Sequence, residues 1–199
     1  GAPFAHVVLG DGGVNFAVSM RGHLHSWGQA SSCLLGRPPP PSAAPGEPLP
    51  PDRIPPLVPG ATTPVHALAM GAKHVALLTH HGRVFTWGEL EVCMGPGGFA
   101  RHTLCEPFYV EGALRDIRAS HIAAGLMETA VAVHQADAVL GWEFLELAPT
   151  GSKLLPAVYH YPRAAGAVAT RLAMERSPAV QVLIAEVDSG PPPEQQQRR

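Results

Sequence analysis

One phrase occurs twice in this chain, and the repetition limits its fold more than any single residue does. Gly22-His23-Leu24-His25-Ser26-Trp27-Gly28 returns as Gly82-Arg83-Val84-Phe85-Thr86-Trp87-Gly88. Each copy closes an apolar alternating segment, residues 16–19 in the first and 75–79 in the second, and Trp142 closes a blurred third version that follows residues 129–133. The three tryptophans stand 60 and then 55 residues apart, a period that belongs to repeat architectures.

In the second copy, residues 65–69 and 74–79 read as short strands, His80-His81-Gly82 as a turn, and residues 83–87 alternate again. This predicts about three short antiparallel strands per unit, with Gly22 and Gly82 supplying the positive φ of a tight hairpin turn. Alternation sets Val84 and Thr86 on one face and Phe85 and Trp87 on the other, so the small sheet carries apolar groups on both sides. Such a sheet needs neighbours on both faces, and small sheets packed radially are the blades of a β-propeller. The expected fold class is therefore all-β, made of propeller blades, with Trp27, Trp87 and Trp142 as buried wedges at one repeated position.

The residues Gly71, His74, Thr79, Gly82, Val84, Phe85, Trp87 and Gly88 form a pattern that resembles the repeat of the regulator of chromosome condensation family. The resemblance runs over about residues 4–185, closest in the second unit, looser in the first and poorest in the third. There Asp137 stands where the turn glycine belongs and Gly125 is displaced by one position. Residues 172–174 and then 179–185 read as the opening strands of a fourth unit. The resemblance implies a seven-bladed ring and gives His74 the family's core histidine position, a hydrogen-bonded structural role. With about three and a half units visible, the chain is read as a fragment of that ring, an open propeller, or one completed by another chain. Its start at Gly1 rather than Met fits a processed or partial chain. Kelch repeats are the nearest rival because Gly12-Gly13 precedes Trp27, but the later units lack the doublet. WD repeats fit less well, since Gly rather than Asp follows Trp27 and Trp87.

Residues 1–188 are read as the propeller-repeat region, interrupted by a Pro-rich insertion at 37–60 that carries Pro38-Pro39-Pro40-Pro41 and Pro50-Pro51. Prolines donate nothing to a strand ladder, so the insertion is expected to be an extended loop outside the first blade. It is either a surface insertion tolerated for its length or a polyproline-type docking segment. Residues 189–199, with Pro191-Pro192-Pro193 and Gln195-Gln196-Gln197, read as a disordered tail.

Formal net charge is −2 over 199 residues, and no Lys/Arg cluster exceeds Arg198-Arg199, so direct nucleic-acid binding is not expected. No apolar run approaches the roughly 18 residues of a membrane helix, and no secretory signal opens the sequence. Cys33 and Cys93 each lie six residues after a repeat tryptophan, at equivalent places in successive blades and beyond disulfide reach of one another. They read as small buried residues and Cys105 as an unpaired thiol, which fits an intracellular, reducing compartment; nucleus, cytoplasm and organelle are not separated.

The 11 histidines show neither helical nor paired metal-ligand spacing. Gly10-Asp11-Gly12-Gly13 lacks the third glycine of a dinucleotide fingerprint and leads into a strand rather than a helix. With no nucleophile elbow, phosphate loop or spaced acid pair, no catalytic residue, cofactor or metal is expected. The leading reading is a non-enzymatic protein-interaction scaffold within a larger assembly, whose partners are complex subunits or remaining blades. Its candidate partner-binding residues are the turn groups Arg21, His23, His80, His81 and Arg83, with Glu89 and Glu91 after Trp87. The alternative follows from the resemblance, whose founding member promotes nucleotide exchange on a small GTPase: a regulatory propeller acting as a guanine-nucleotide exchange factor. Chromatin or nucleic-acid attachment, a third class, is weakened by the negative net charge.

Overall fold

A computed structural model describes residues 3–10, 13–29, 33–44, 46–58, 63–93, 99–111, 114, 117–126, 128–133, 138–142, 144–147, 154–156, 159–162, 168–174 and 183–188. Among these residues the regular structure is strand, with no α-helix and hence no helix long and apolar enough to cross a membrane. Blade 1 is the antiparallel sheet β1 (Phe4–Leu9), β2 (Val14–Ser19), β3 (Leu24–Gln29) and β4 (Pro48–Arg53), in that order. Blade 2 follows as β5 (Val65–Met70), β6 (His74–Thr79), β7 (Val84–Cys93) and β8 (Phe99–Tyr109). Blade 3 comprises β9 (Ala119–Ala124), β10 (Thr129–Val133), β11 (Ala138–Trp142) and, after a detour, β14 (Tyr159–Pro162). The detour is the pair β12 (Phe144–Leu147) and β13 (Leu154–Pro156), and β12 runs parallel to the far end of β7. Finally, β15 (Val168–Met174) and β16 (Leu183–Asp188) form an antiparallel pair, with β15 beside β9. These strands overlap the two runs, 172–174 and 179–185, that read as the opening of a fourth unit. Residues 179–182 and the tail at 189–199 lie outside the described residues.

Each blade thus has four strands where three were expected, because the fourth carries no repeat signature. In blade 1 it comes from the Pro-rich insertion, which is not merely a loop outside the blade. Pro50 and Pro51 fall where the β3–β4 register slips between Ser26 and Gly28, and β4 is an edge strand, so their missing N–H groups cost little pairing. Leu49 and Ile54 are buried, as is Arg37. The Arg37 guanidinium donates to Ser26 Oγ (3.1 Å), Ser26 O (3.2 Å) and Pro50 O (2.9 Å), which fastens β4 to β3.

The three units agree in register more closely than in sequence. Trp27 pairs with Asn15, Trp87 with Val75 and Trp142 with Thr129. The first strand of each unit carries a one-residue bulge, at Ala5, His66 and Ser120. Gly10, Gly71 and Gly125 each donate back across the first turn, to Val14 O (3.0 Å), His74 O (2.8 Å) and Glu128 O (2.9 Å). Gly125 is therefore in place and the expected displacement is corrected. Six residues separate the paired Ala132 and Val139 where five separate Leu78 and Val84, so the extra residue lies in the β10–β11 connection. Asp137 falls in that connection, outside the described residues.

The two apolar faces of blade 2 are filled from both sides. Val75, Leu77, Phe85 and Trp87 pack with Val14, Phe16, Val18 and Leu24 of blade 1. On the opposite face Ala76, Leu78 and Val84 pack with Ile122, Val131, Val133 and Leu140 of blade 3. Polar links cross the same seams. The Trp87 indole N–H donates to Leu34 O at 2.7 Å, and His74 Nε2 shares a 2.9 Å hydrogen bond with Thr129 Oγ1. His74 is buried as well as hydrogen-bonded. Trp87 is the buried wedge expected, whereas Trp27 is only half-buried, and the side chain of Trp142 lies outside the described residues.

The cysteines pair differently from the expectation. Cys33, in the loop after β3, is disulfide-bonded to Cys105 on β8, with 4.3 Å between Cα atoms. Cys105 is thus not an unpaired thiol. Its strand is the unforeseen fourth strand of blade 2, which reaches the blade 1 loop. Cys93 ends β7, and its side chain lies outside the described residues.

Candidate functional site

The nominated side chains sit on two ends of the blades, and the hairpin turns explain why. In blade 1, Ser19 N donates to His23 O (2.9 Å) and Gly22 N to Ser19 O (2.8 Å). Blade 2 repeats this with Thr79 N to Arg83 O and Gly82 N to Thr79 O, both 2.9 Å. The Ser19 and Thr79 hydroxyls accept from the His23 and Arg83 amides, each at 3.1 Å, while Gly22 and Gly82 both take φ +76°. A side chain at that φ would be strained, which fixes glycine there. Each turn is also tied to the next blade, since the Gly22 and Gly82 carbonyls accept from Val65 N (3.4 Å) and Ala119 N (3.1 Å).

These turns present Arg21, His80, His81 and Arg83 to solvent and leave His23 half-buried. Five of the seven nominated residues therefore share one end of blades 1 and 2. Glu89 is at the opposite end of the sheet, where its carboxylate meets Lys73 Nζ at 3.2 Å and its amide donates to Lys73 O at 2.8 Å. Glu91 follows on β7, its side chain outside the described residues. The fold does not bring the two glutamates to the turn groups.

At the blade 1 turn, His23 lines a shallow cleft with Leu24, Arg53, Ile54 and Thr63. Burial, then the neighbouring charges of Arg53, His25 and Arg21, hold its imidazole below the usual histidine value. At the blade 2 turn lies a larger cleft of about 440 Å³, lined by His66, His80, His81, Arg118, Ser120 and His121 together with Thr79, Gly82 and Ala119. The His66 and His80 rings meet edge to face at 4.9 Å between centroids. Ser120 Oγ donates to Ala132 O at 3.2 Å and contacts His121 Nδ1 at 3.0 Å. Among the described residues no carboxylate lines this cleft, and its polar groups there suit an anionic ligand. His66, Arg118 and His121 were not expected at a site. They come from two blades and share no sequence spacing, and only the alignment of the strand bulges brings them into register. Among the described residues no group of three or more His, Cys, Asp or Glu could hold a metal ion.

No family model matches the sequence, and no curated protein matches it significantly. Solved structures do. Human WBSCR16 superposes with a TM-score of 0.63 at 18% identity, over 94% of this chain and 45% of that one. Prp20p from Saccharomyces cerevisiae, a protein with binding properties toward Gsp1p and histones, gives 0.65 at 16% identity, over 92% of this chain and 43% of that one. Yeast RCC1 (Prp20) bound to Kap60 gives 0.58 at 17% identity, over 85% and 40%. The chain spans less than half the length of these proteins, and likeness at such identity concerns the fold. By its strand arrangement and these likenesses, the chain is a run of β-propeller blades, similar in fold to these proteins.

Proposed function

We propose that the chain is a non-enzymatic interaction scaffold, a run of blades spanning residues 1–188 that works inside a larger protein assembly. The observation that carries this reading is the outer face of blade 1. Val7 and Leu9 are exposed there, while the residues at the same positions in blade 2, Leu68 and Met70, pack against blade 1. Contiguous exposed apolar groups mark surfaces that another protein covers. The nearest chemistry for that cover is another blade, since the repeat already uses the face in this way between blades 1 and 2. The turn groups Arg21, His23, His80, His81 and Arg83 are the proposed contacts for further partners on one end, with Glu89 and Glu91 on the other. The binding of Prp20p to Gsp1p and histones supports protein partners for this fold.

Sedimentation velocity tests the proposal. The isolated chain should self-associate, and coexpression with further blades should convert it to one discrete species. A monodisperse monomer that accelerates nucleotide release from a small GTPase would instead establish the exchange-factor reading.

A further inference from the structure

We infer that the cleft between the β6–β7 turn and β9 binds a carboxylate-bearing, acidic segment of a partner protein. The inference rests on the scaffold reading above and names the partner chemistry of its His80–His81 surface. Three elements converge on the cleft: His66 comes from the bulge of β5, His80 and His81 from the turn, and Arg118 and His121 from the start of blade 3. Among the described residues these are all the charged and imidazole groups lining it, and none is a carboxylate. In a chain with 16 acidic and 14 basic residues, that one-sidedness is local.

The repeat supplies an internal control. Aligned by register and turn, the positions of His66, His80, His81, Arg118 and His121 correspond at the blade 1–blade 2 junction to Ala5, Met20, Arg21, Pro64 and Ala67. Both junctions are closed by the same carbonyl of the turn glycine. The fold therefore does not require histidines or Arg118 there, and four of five cation-capable groups are specific to the second junction. The walls are also held in place. His80 N donates to Pro64 O and Ala119 N to Gly82 O, each at 3.1 Å, so the backbone that carries the lining residues is fixed. A cleft of about 440 Å³ accommodates acidic side chains from an extended peptide. Carboxylates there would accept charge-assisted hydrogen bonds from imidazole N–H and guanidinium groups.

The test is a titration of the 199-residue chain, in whatever oligomeric state sedimentation finds, with a fluorescent peptide of alternating Asp and Glu. Binding should occur and should weaken as ionic strength rises, as a charged contact requires. It should weaken at least about tenfold in His80→Ala/Arg118→Ala, whose two side chains are exposed, so the melting temperature should hold. His81→Glu, a second and independent variant, should weaken it further by placing a carboxylate in the cleft. Equal binding of the Asn/Gln version of the peptide, unchanged affinity in the variants, or binding of inorganic phosphate without the peptide would each overturn the inference. Because the peptide assay does not depend on further blades, its failure beside successful coexpression would remove this assignment and leave the scaffold reading standing.

Discussion

Blades 1 and 2 are built alike and buried differently. Their first three strands share register, bulge and turn chemistry. Yet Leu9 is 77% exposed where Met70 is 4%, and Phe4 is 50% exposed where Val65 is 5%. Met70 packs onto Gly10 of blade 1, and Trp87 reaches Leu34 O and the Gly36 backbone of the same blade. Leu9 and Trp27 repeat these positions, and among the described residues no blade packs on that face. The local pattern thus specifies a sheet with two apolar faces, while burial is conferred by the neighbour. The faces also differ chemically. Asn15 and His25 stand where blade 2 has Val75 and Phe85, and His25 already takes Phe4 edge to face at 5.3 Å. Whatever covers blade 1 must offer partners to two polar groups that blade 2 lacks.

The largest expected effect comes from replacing residues 37–60 with a short Gly/Ser linker. Were the segment only a loop, stability would hardly change, because loop closure varies slowly with length. It supplies β4, the buried Leu49 and Ile54, and the Arg37 clamp. Loss of two such aliphatic side chains alone costs several kcal/mol, at about 2–5 each. Denaturant unfolding should therefore show blade 1 lost or strongly destabilised, and an unchanged midpoint would show that β4 contributes nothing to the blade.

The tryptophan pair sharpens the contrast next. Trp87→Ala should cost about 3–5 kcal/mol, since it removes a fully buried ring and leaves Leu34 O without its indole donor. Trp27→Ala, at the same register position but half-buried, should cost less than half as much in the isolated chain. Bringing in a covering blade should raise the Trp27 cost toward that of Trp87. Equal costs in the isolated chain would end the idea that the neighbour, rather than the repeat, buries the wedge.

These differences follow how far a physical cause lies from the residue it affects. The turns at Gly22 and Gly82 and the two-faced alternation of residues 83–87 were legible because their causes are local: a required φ and a period of two. The half-burial of Trp27 was not, because its phrase matches that of Trp87 and only the missing contact differs. β4 was hidden by its prolines, which argue against a strand everywhere except at an edge or bulge. The Cys33–Cys105 bond was hidden behind β8, a strand with no repeat signature. At the candidate site, the turn groups were found as positions, but the cleft beside His80 was not. Its other walls, His66, Arg118 and His121, arrive through a bulge register shared by strands dozens of residues apart.

The smallest effect separates the two turns themselves. His23 and Arg83 hold the same place, each amide bonded to the turn hydroxyl, but only the histidine titrates in the accessible range. Burial and the charges of Arg53, His25 and Arg21 lower the pKa of His23 in the fold. A histidine that holds its proton less tightly when folded leaves stability intact above its unfolded value, about 6.5. Stability is then lost as pH falls below that value and through the lower folded one. His23→Gln should remove this component, so melting temperatures of the two proteins should run in parallel above about pH 7 and converge or cross below about pH 6, with the variant less sensitive to acid. The other histidines are common to both proteins and drop out of the difference. Arg53→Gln alone, with His23 kept, should relieve part of the charge repulsion and flatten the acid limb. If wild type and His23→Gln keep a constant offset across the whole range, the blade 1 turn is no more acid-sensitive than that of blade 2, and the contrast between them lies in burial alone.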